Sequence, residues 1–324
     1  MSGLVVKSEA EVLEALGVLA NQRSQSYFAM YSTWLKGVTT DPKYMLLPIE
    51  DHMVHRGDAV FEAFRIQAGA IYDMRSHLER LERSAKAIEL ELPGTLEQIA
   101  HIIEETAKIA HQSSAVVRLY VSRGPGGFTA NPYESIGSQL YVVITPFSPL
   151  PEELYANGGK AGFAKTKMKD SPWISIKSCN YLQNVMMKKE AKDRGLNFTL
   201  SVSDQDHLGE GATENFAVII DDRLVAPPFD ITLRGTTLRR VLKLADENKS
   251  RLSLKSVEQR PILKSELPNF QEAFFIGTTV EVAPIVSFES STVGNGAVGE
   301  RAKELRQLLL KDINENPELR SEVL

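Results

Sequence analysis

Two short segments of the chain place an amine and a carboxylate in unusual surroundings. Lys177 follows the mostly apolar residues 173–176 and precedes a helical pattern, whereas Glu210 stands between two glycines, just before an apolar strand pattern. An apolar setting lowers the pKa of an amine, which can then act as a nucleophile and a base. An amine that can form a Schiff base, with a carboxylate that keeps a ring nitrogen protonated, is the minimum set for pyridoxal phosphate (PLP) chemistry. The alternative for Glu210 is a carboxylate that only caps a turn.

The triplet Gly-Thr-Thr occurs twice in the chain. One triplet opens a helical pattern and the other follows the apolar strand pattern 273–276. The hydroxyl residues of the two triplets are Thr236, Thr237, Thr278 and Thr279. Threonine at a helix start is more commonly a simple cap, but backbone N–H groups and hydroxyls at a helix N-terminus also bind anions. Together the two triplets predict a phosphate site.

Three arginines are candidate ligands for anionic groups. Arg118 lies within the apolar strand pattern 116–121, where an unpaired charge is costly. We therefore expect Arg118 to face a cleft and to meet a substrate carboxylate. Arg75 precedes a helix, and its guanidinium is either a phosphate ligand or a surface charge. The same two interpretations apply to Arg56.

The composition is that of an ordinary globular protein. The 324 residues are 43% hydrophobic and 24% charged, with a formal net charge of −5, so no basic excess predicts a nucleic-acid partner. The single cysteine, Cys179, cannot form an intrachain disulfide, and the six histidines show no metal-binding spacing. We expect a cytoplasmic protein without a metal, a secretory signal or a membrane span.

Helix and strand patterns are mixed in both halves of the chain. Capping boxes at residues 8–11, 76–79 and 95–98 predict helix starts. Residues 116–121 and 140–145 are rich in β-branched side chains and predict strands. The order of these elements favours an α+β fold.

Three prolines within residues 146–151 mark the clearest linker in the chain. We therefore predict a small N-terminal domain at residues 1–146, an interdomain linker at 147–160 and a large C-terminal domain at 161–324. The polar tail from Asn314 is expected to fray.

The motifs, taken in order, resemble those of the class IV, fold-type IV PLP enzymes. This family comprises branched-chain and D-amino acid aminotransferases and aminodeoxychorismate lyases. The motifs that carry the resemblance are residues 60–62, Arg75 with His77, Lys177 with 180–182, 209–211 with Asn215, 235–237, and 277–279 with Glu281 and Pro284. The resemblance spans about residues 47–302. It implies a small α/β-sandwich domain, a larger PLP-binding domain with a barrel-like β core, and a homodimer.

The resemblance also implies a role for each site residue. Lys177 is similar to the Schiff-base lysine, Tyr181 to the partner of the PLP phenolic oxygen, and Glu210 to the ligand of the ring nitrogen. The implied phosphate ligands are Arg75, Thr236, Thr237, Thr278 and Thr279. The implied substrate-binding residues are Arg56, Phe61 and Arg118.

Several positions near the implied substrate pocket depart from the branched-chain pattern. Arg56 and Val116 stand where branched-chain enzymes usually carry tyrosines, and residues 122–127 are similar to a loop of the lyases. Residues 29–42 and 51–57 look closest to plant D-amino acid transaminase-like proteins.

The activity that the resemblance implies is PLP-dependent transfer of an amino group between a branched-chain L- or D-amino acid and a 2-oxo acid such as 2-oxoglutarate. One alternative is a 4-amino-4-deoxychorismate lyase that releases pyruvate and 4-aminobenzoate. A non-catalytic PLP-binding protein is a further alternative.

Overall fold

Two β-sheets with helices packed on them form the part of the protein that the structure describes. The structure is a computed structural model and describes residues 4–23, 27–167, 169 and 172–324. Met1 and the two residues after it, which belong to the segment considered for a secretory signal, lie outside the described residues.

Helices and strands alternate along the described chain. The helices are α1 (Glu9–Arg23), α2 (His52–Arg56), α3 (Met74–Ala87), α4 (Leu96–Ala110), α5 (Glu152–Asn157), α6 (Leu182–Asp193), α7 (Thr236–Glu247) and α8 (Glu300–Glu315). The strands are β1 (Ala29–Ser32), β2 (Gly37–Thr39), β3 (Ala59–Gln67), β4 (Ala70–Tyr72), β5 (Ser114–Ser122), β6 (Gln139–Thr145), β7 (Gly159–Phe163), β8 (Phe198–Leu200), β9 (Asn215–Ile220), β10 (Arg223–Ala226), β11 (Ser256–Gln259), β12 (Glu272–Gly277), β13 (Glu281–Phe288), β14 (Ser291–Thr292) and β15 (Arg320–Glu322).

The first sheet is antiparallel and has the strand order β15-β4-β3-β5-β6-β1-β2. Successive side chains of a strand point to opposite faces. Along β3, Val60, Phe64 and Ile66 belong to the core that α3 and α4 complete. Phe61 and Ala63 point the other way and line a cavity. The alternation in this one strand therefore separates the core from the site.

Two of the predicted capping boxes form as expected. Thr95 Oγ1 accepts from the Gln98 N–H at 3.3 Å, and the Thr95 N–H donates to Gln98 Oε1 at 2.9 Å. Ser8 and Glu11 make the equivalent pair before α1. At the third predicted box, residues 76–79, the helix already begins at Met74. The box residues therefore lie within the helix and not at its start.

The second sheet has the strand order β11-β10-β9-β12-β13-β7-β8, with β14 paired to β13. Its two ends approach each other through isolated bridges that pair Val202 with Leu208 and His207 with Leu263. The Leu208 N–H also donates to the Ile262 carbonyl at 2.8 Å. The sheet therefore curls toward closure, as expected for a barrel-like core.

Aromatic side chains fill the inside of this curled sheet, and helices cover its outside. Phe216, Phe275 and Phe288 are fully buried in the inner core. The apolar faces of α7 and α8 form a separate core against β9, β12 and β13. The α+β prediction is confirmed.

The C-terminal tail is ordered, so the prediction that it frays from Asn314 is wrong. Helix α8 continues to its end at Glu315, and β15 then pairs antiparallel with β4. Val323 behind it is buried in the first core. The tail is held because its backbone completes the edge of the first sheet.

The chain crosses between the two sheets twice. It leaves the first sheet after β6, enters the second with β7, and returns to the first with β15. The boundaries placed at 1–146, 147–160 and 161–324 stay a prediction.

Candidate active site

A cavity of about 600 Å³ lies between the first and second sheets and collects most of the predicted site residues. The predicted residues that line it are Phe61, Arg118, Lys177, Tyr181, Thr236, Thr237, Thr278 and Thr279. Residues far apart in the sequence thus meet in one place, which a single catalytic or binding site requires.

Backbone pairing with β3 positions Lys177. The Lys177 carbonyl accepts from the Phe61 N–H at 2.9 Å, and the Cys179 N–H donates to the Ala59 carbonyl at 2.8 Å. The Lys177 N–H donates to Ser84 Oγ on α3 at 3.2 Å. The segment is therefore an added edge of β3, and it directs the lysine side chain into the cavity.

The Lys177 amine faces aromatic rings. Its Nζ lies 4.5 Å from the Phe61 ring centroid and 5.9 Å from that of Tyr181. Burial, with a smaller effect of the Arg80 charge, lowers the pKa of Lys177 to about 8 against the opposing effect of two carboxylates. A substantial neutral fraction near physiological pH makes this amine a usable nucleophile and base.

Glu210 is held from the loop before α7. Its Oε2 accepts from the Leu233 N–H at 2.9 Å and from Asn215 Nδ2 at 3.4 Å. Burial raises the pKa of Glu210 to about 7, although the Leu233 N–H, Lys169 and Lys177 oppose this rise. Near neutral pH such a carboxyl group is only partly ionised, and a nearby cation would favour its charged form.

The two Gly-Thr-Thr triplets lie side by side. Thr237 Oγ1 is 3.3 Å from Thr278 Oγ1, and α7 begins at Thr236 with Gly235 as its N-cap. A Cβ added to Gly235 would come within 1.8 Å of Asn215 Oδ1, so this close approach needs glycine. Hydroxyls and free N–H groups at a helix start together form an anion site.

The structure does not bring Arg75 into the cavity. Its side chain is 91% exposed and pairs with Glu79 at 3.1 Å. Arg80, on the same helix, lines the cavity instead and is buried. The sequence signal for this was available, because Arg80 lies on the same face of α3 as His77 and Ser84 at helical spacing.

A buried hydrogen-bond network fixes Arg80 and the start of α7. Arg80 donates to both carboxylate oxygens of Glu62 at 2.7 Å. His77 Nδ1 lies 2.7 Å from Glu62 Oε2, and its Nε2 lies 3.1 Å from Thr236 Oγ1. Burial alone would raise the pKa of Glu62, but Arg80 and His77 together lower it to about 2. The sequence-based roles did not include Glu62, His77 or Arg80.

Tyr181 closes the cavity beside the lysine. Its ring meets the Phe61 ring edge-on, with 5.0 Å between the centroids. Burial raises the pKa of Tyr181, so its hydroxyl stays protonated and can donate. Burial likewise raises the pKa of the Cys179 thiol to about 12, which argues against a nucleophilic role.

Arg118 brings a charge without a carboxylate partner to the cavity. Its Nε lies 3.4 Å from Thr145 Oγ1, and among the described residues no carboxylate lies within 4.0 Å of its guanidinium. Arg56 does not line this cavity; it is exposed and donates to the carbonyls of His55 and Phe128 at 2.8 and 2.7 Å. The structure therefore brings Arg118 to the site and leaves Arg56 outside it.

The residues present suit PLP at this site. The paired triplets and Arg80 suit a phosphate group, and Lys177 suits an aldehyde. The raised pKa of Glu210 suits a cationic partner that favours its charged form, and a protonated ring nitrogen is such a partner.

Comparison with known families agrees with this chemistry. Residues 59–288 match the family model described as amino-transferase class IV. That match spans well over half of the chain. The chain belongs to the class IV aminotransferase family. It is a PLP-dependent aminotransferase, which confirms the family, cofactor and reaction class predicted from the sequence.

Curated relatives of this class IV aminotransferase cover most of its length. It is 33% identical to the chloroplastic D-amino-acid transaminase of Arabidopsis thaliana over 96% of this chain and 83% of that protein. It is 30% identical to the D-alanine aminotransferase of Bacillus licheniformis over 82% of this chain and 91% of that protein. A putative branched-chain-amino-acid aminotransferase of Methanocaldococcus jannaschii is 29% identical over 86% of this chain and 95% of that protein.

Solved structures share the fold. The Escherichia coli branched-chain amino acid aminotransferase superposes with a TM-score of 0.84 at 22% identity, covering 92% of this chain and 100% of that chain. The branched-chain enzyme from Thermobaculum terrenum, solved in its PLP form, gives a TM-score of 0.79 at 18% identity, over 93% and 99%. Among the described residues, none of the helices has the length and apolar character that a membrane span requires.

Proposed function

We propose that this aminotransferase takes its amino group from a D-amino acid and transfers it to a 2-oxo acid such as 2-oxoglutarate. The observation that supports the chemistry is one cavity that brings the Lys177 amine and the two hydroxyl triplets together, with the Glu210 carboxylate close enough to act on the pKa of Lys177. The relatives from A. thaliana and B. licheniformis are named for D-amino acids, which supports the donor configuration.

One end of the cavity binds the cofactor phosphate in this proposal. Its ligands are the hydroxyls of Thr237, Thr278 and Thr279, with the charge of Arg80 beside them. Thr236 contributes its backbone N–H, because its own hydroxyl already bonds to an imidazole. The start of α7 adds the positive end of a helix dipole.

Lys177, Tyr181 and Glu210 act on the reacting part of the cofactor in this proposal. When bound, PLP supplies an aldehyde carbon that takes up the amino nitrogen and a ring that withdraws electrons from the reacting carbon. Glu210 keeps a proton on the ring nitrogen, and the Tyr181 hydroxyl donates to the phenolic oxygen. Lys177 Nζ takes the proton from the substrate Cα, for which its lowered pKa is suited.

Arg118 binds the substrate carboxylate in this proposal. It is a cavity-lining guanidinium whose hydrogen bond to Thr145 is long, at 3.4 Å. A carboxylate bound in bidentate fashion would satisfy it. The Lys177 amine lies over the Phe61 ring, and in this proposal the ring keeps water from the amine.

Two other donors or reactions are weaker candidates. The relative from M. jannaschii is named for branched-chain amino acids, so branched-chain L-amino acids form the second candidate class of donor. Elimination of pyruvate from 4-amino-4-deoxychorismate would use the same lysine, but the relatives reported above are named for transamination.

A donor panel tests the proposal. The purified enzyme is incubated with D- and L-alanine, D- and L-leucine, or aminodeoxychorismate, each with 2-oxoglutarate, and glutamate and pyruvate are quantified without coupling enzymes. We expect the fastest glutamate formation with a D-amino acid. Faster turnover of L-leucine would contradict the donor configuration, and pyruvate from aminodeoxychorismate without glutamate from any amino acid would contradict transamination.

We further propose a homodimer. Large apolar side chains stay exposed around the Lys177 segment, with Trp173, Leu182 and Val185 exposed by 61%, 74% and 57%. Sedimentation equilibrium should show twice the chain mass, and Leu182→Asp should shift the species toward the monomer. The control is Ile109→Asp, at an apolar position of α4 exposed by 51%. A wild-type monomer, or equal shifts in both variants, would contradict the proposal.

The compartment we propose is the cytoplasm. The single thiol suits a reducing environment, but the A. thaliana relative is named as chloroplastic. Cell fractionation with an antibody against this protein tests the proposed cytoplasmic location. Recovery of the protein with an organelle would contradict that location.

A further inference from the structure

We propose that Glu281 is a positioning residue for the cofactor phosphate, because it holds the turn at residues 277–280 in the shape that binds the anion. The inference rests on the phosphate role proposed above for the hydroxyls of that turn. Glu281 itself lies outside the cavity lining and would not touch the cofactor.

The backbone of Glu281 adopts a conformation that favours glycine. Its φ is +55°, which lies in the left-handed region where a Cβ is crowded. It pairs with Gly277 across the hairpin of β12 and β13, and the Val280 N–H donates to the Gly277 carbonyl at 3.3 Å. A glutamate at this position of the turn is sterically costly, so its side chain must offset that cost.

Both carboxylate oxygens of Glu281 are used. Oε1 accepts from Arg65 Nη1 at 2.7 Å, and Oε2 accepts from Arg306 Nε at 2.7 Å. Glu281 is only 3% exposed, and burying a charge of this kind is tolerated only when it is paired. Arg65 comes from β3 of the first sheet and Arg306 from α8 over the second. The carboxylate therefore ties both layers to the end of the turn.

The segment between the two sheets completes this charge cluster. Arg306 donates to both oxygens of Glu152 at 2.8 and 3.1 Å, and its guanidinium lies 3.5 Å from the ring centroid of Tyr155. The Tyr155 hydroxyl donates to the Val280 carbonyl at 3.1 Å. The turn is thus held by the Glu281 side chain just after it and by the carbonyl of its last residue, Val280.

The cluster acts by position and not by net charge. Its two arginines are balanced by Glu281 and Glu152, so it adds no field that attracts a phosphate. Glu281→Gln removes a negative charge near the phosphate site. Electrostatics alone would then predict tighter binding of the cofactor, whereas a positioning role predicts weaker binding because the turn loses its anchor.

The experiment measures PLP affinity of the apoenzyme by equilibrium dialysis, with the absorbance of free PLP as the readout. We expect Glu281→Gln to raise the dissociation constant about tenfold, as loss of an outer-shell partner does for metal ligands. Tyr155→Phe, which removes only the bond to Val280, should raise it by about threefold. Glu304→Gln is the control, because Glu304 makes an exposed pair with Arg251 elsewhere on α8.

Unchanged or tighter PLP binding by both Glu281→Gln and Tyr155→Phe would overturn the inference. If Glu281→Gln does not fold, Tyr155→Phe decides it alone. Thr237→Val and Thr278→Val separate this result from the phosphate assignment. If the threonine variants bind PLP weakly while the Glu281 and Tyr155 variants bind it normally, only the positioning role fails. If the threonine variants also bind PLP normally, the assignment of Thr237 and Thr278 as phosphate ligands is wrong, and the positioning role that rests on it is wrong as well.

Discussion

The protein itself lowers the pKa of Lys177, without a bound cofactor or substrate. Burial lowers its pKa from 10.5 to about 8. Between these two pH values the unfolded chain binds more protons at this position than the folded protein does. Stability therefore rises with pH across this interval, and below pH 8 the buried charge destabilises the folded state.

This linkage predicts that Lys177→Met stabilises the apoenzyme at pH 7 by about 2 kcal/mol, after allowance for partial exposure. The gain should be complete below pH 8 and vanish near pH 10.5, where the lysine is neutral in both states. Urea denaturation at pH 7 and pH 10 measures it. The control is Lys86→Met, since Lys86 on α3 is exposed. A gain that does not change with pH would contradict the burial of the charge.

Glu210 is expected to control catalysis through one proton. Glu210→Gln keeps the shape of the side chain but cannot hold the ring nitrogen protonated, so kcat should fall about 100-fold, the size typical of a lost electrostatic partner. Steady-state rates with the preferred donor measure this. Glu304→Gln makes the same chemical change at an exposed pair and should leave kcat unchanged. A Glu210→Gln variant with wild-type kcat would contradict the assignment.

At the scale of elements, α3 carries two kinds of arginine. Arg75 points to solvent, whereas Arg80 points into the protein and pairs with the carboxylate of Glu62 on β3. Both look alike in a linear motif, because the difference is only the direction of the side chain around the helix axis. Helical spacing shows that Arg80 shares a face of α3 with His77. Which face packs on the sheet was therefore the information that the motif alone lacked.

The ion pair between Glu62 and Arg80 should contribute to stability. Glu62→Gln leaves Arg80 buried without a counter-charge, so unfolding at pH 7 should cost about 3 kcal/mol less. The pKa of Glu62 is lowered from 4.5 to about 2. The contribution of Glu62 is thus complete above pH 4.5 and is lost as the pH falls toward 2.

Urea denaturation at pH 7 and pH 3 tests this effect. The matched control is Glu82→Gln on α3, whose pair with Lys86 is exposed and should matter by less than about 0.5 kcal/mol. Equal losses in the two variants, or a Glu62→Gln effect that persists unchanged at pH 3, would show that the buried pair is not the cause.

At the scale of the whole molecule, the last strand returns to the first sheet and pairs with β4. Asp312 of α8 accepts from the Tyr72 hydroxyl at the end of β4. The contacts that hold the two sheets together thus include the C-terminus.

Deletion of residues 317–324 should therefore destabilise the protein as a unit. Loss of β15 and of the buried Val323 should lower the Tm by about 5 °C. Differential scanning calorimetry of the holoenzyme measures this. A truncation that leaves the Tm unchanged would contradict the contribution of the returning strand. The double change Glu318→Gln and Glu322→Gln, which keeps the strand, is the control.

The reactive residue types and the short motifs around them were determined by the sequence alone. The amine at Lys177, the carboxylate at Glu210 and the two hydroxyl triplets were recognised because residue type and short-range pattern define them. The tertiary structure decided which arginine faces the cavity, that Arg56 stays outside it, and that the C-terminal tail forms a strand. The place of the tail depends on pairing between β4 and β15, more than 200 positions apart, and no local pattern encodes such a contact. The direction of the arginines depends on which helix face packs inward, and spacing shows only which residues share a face.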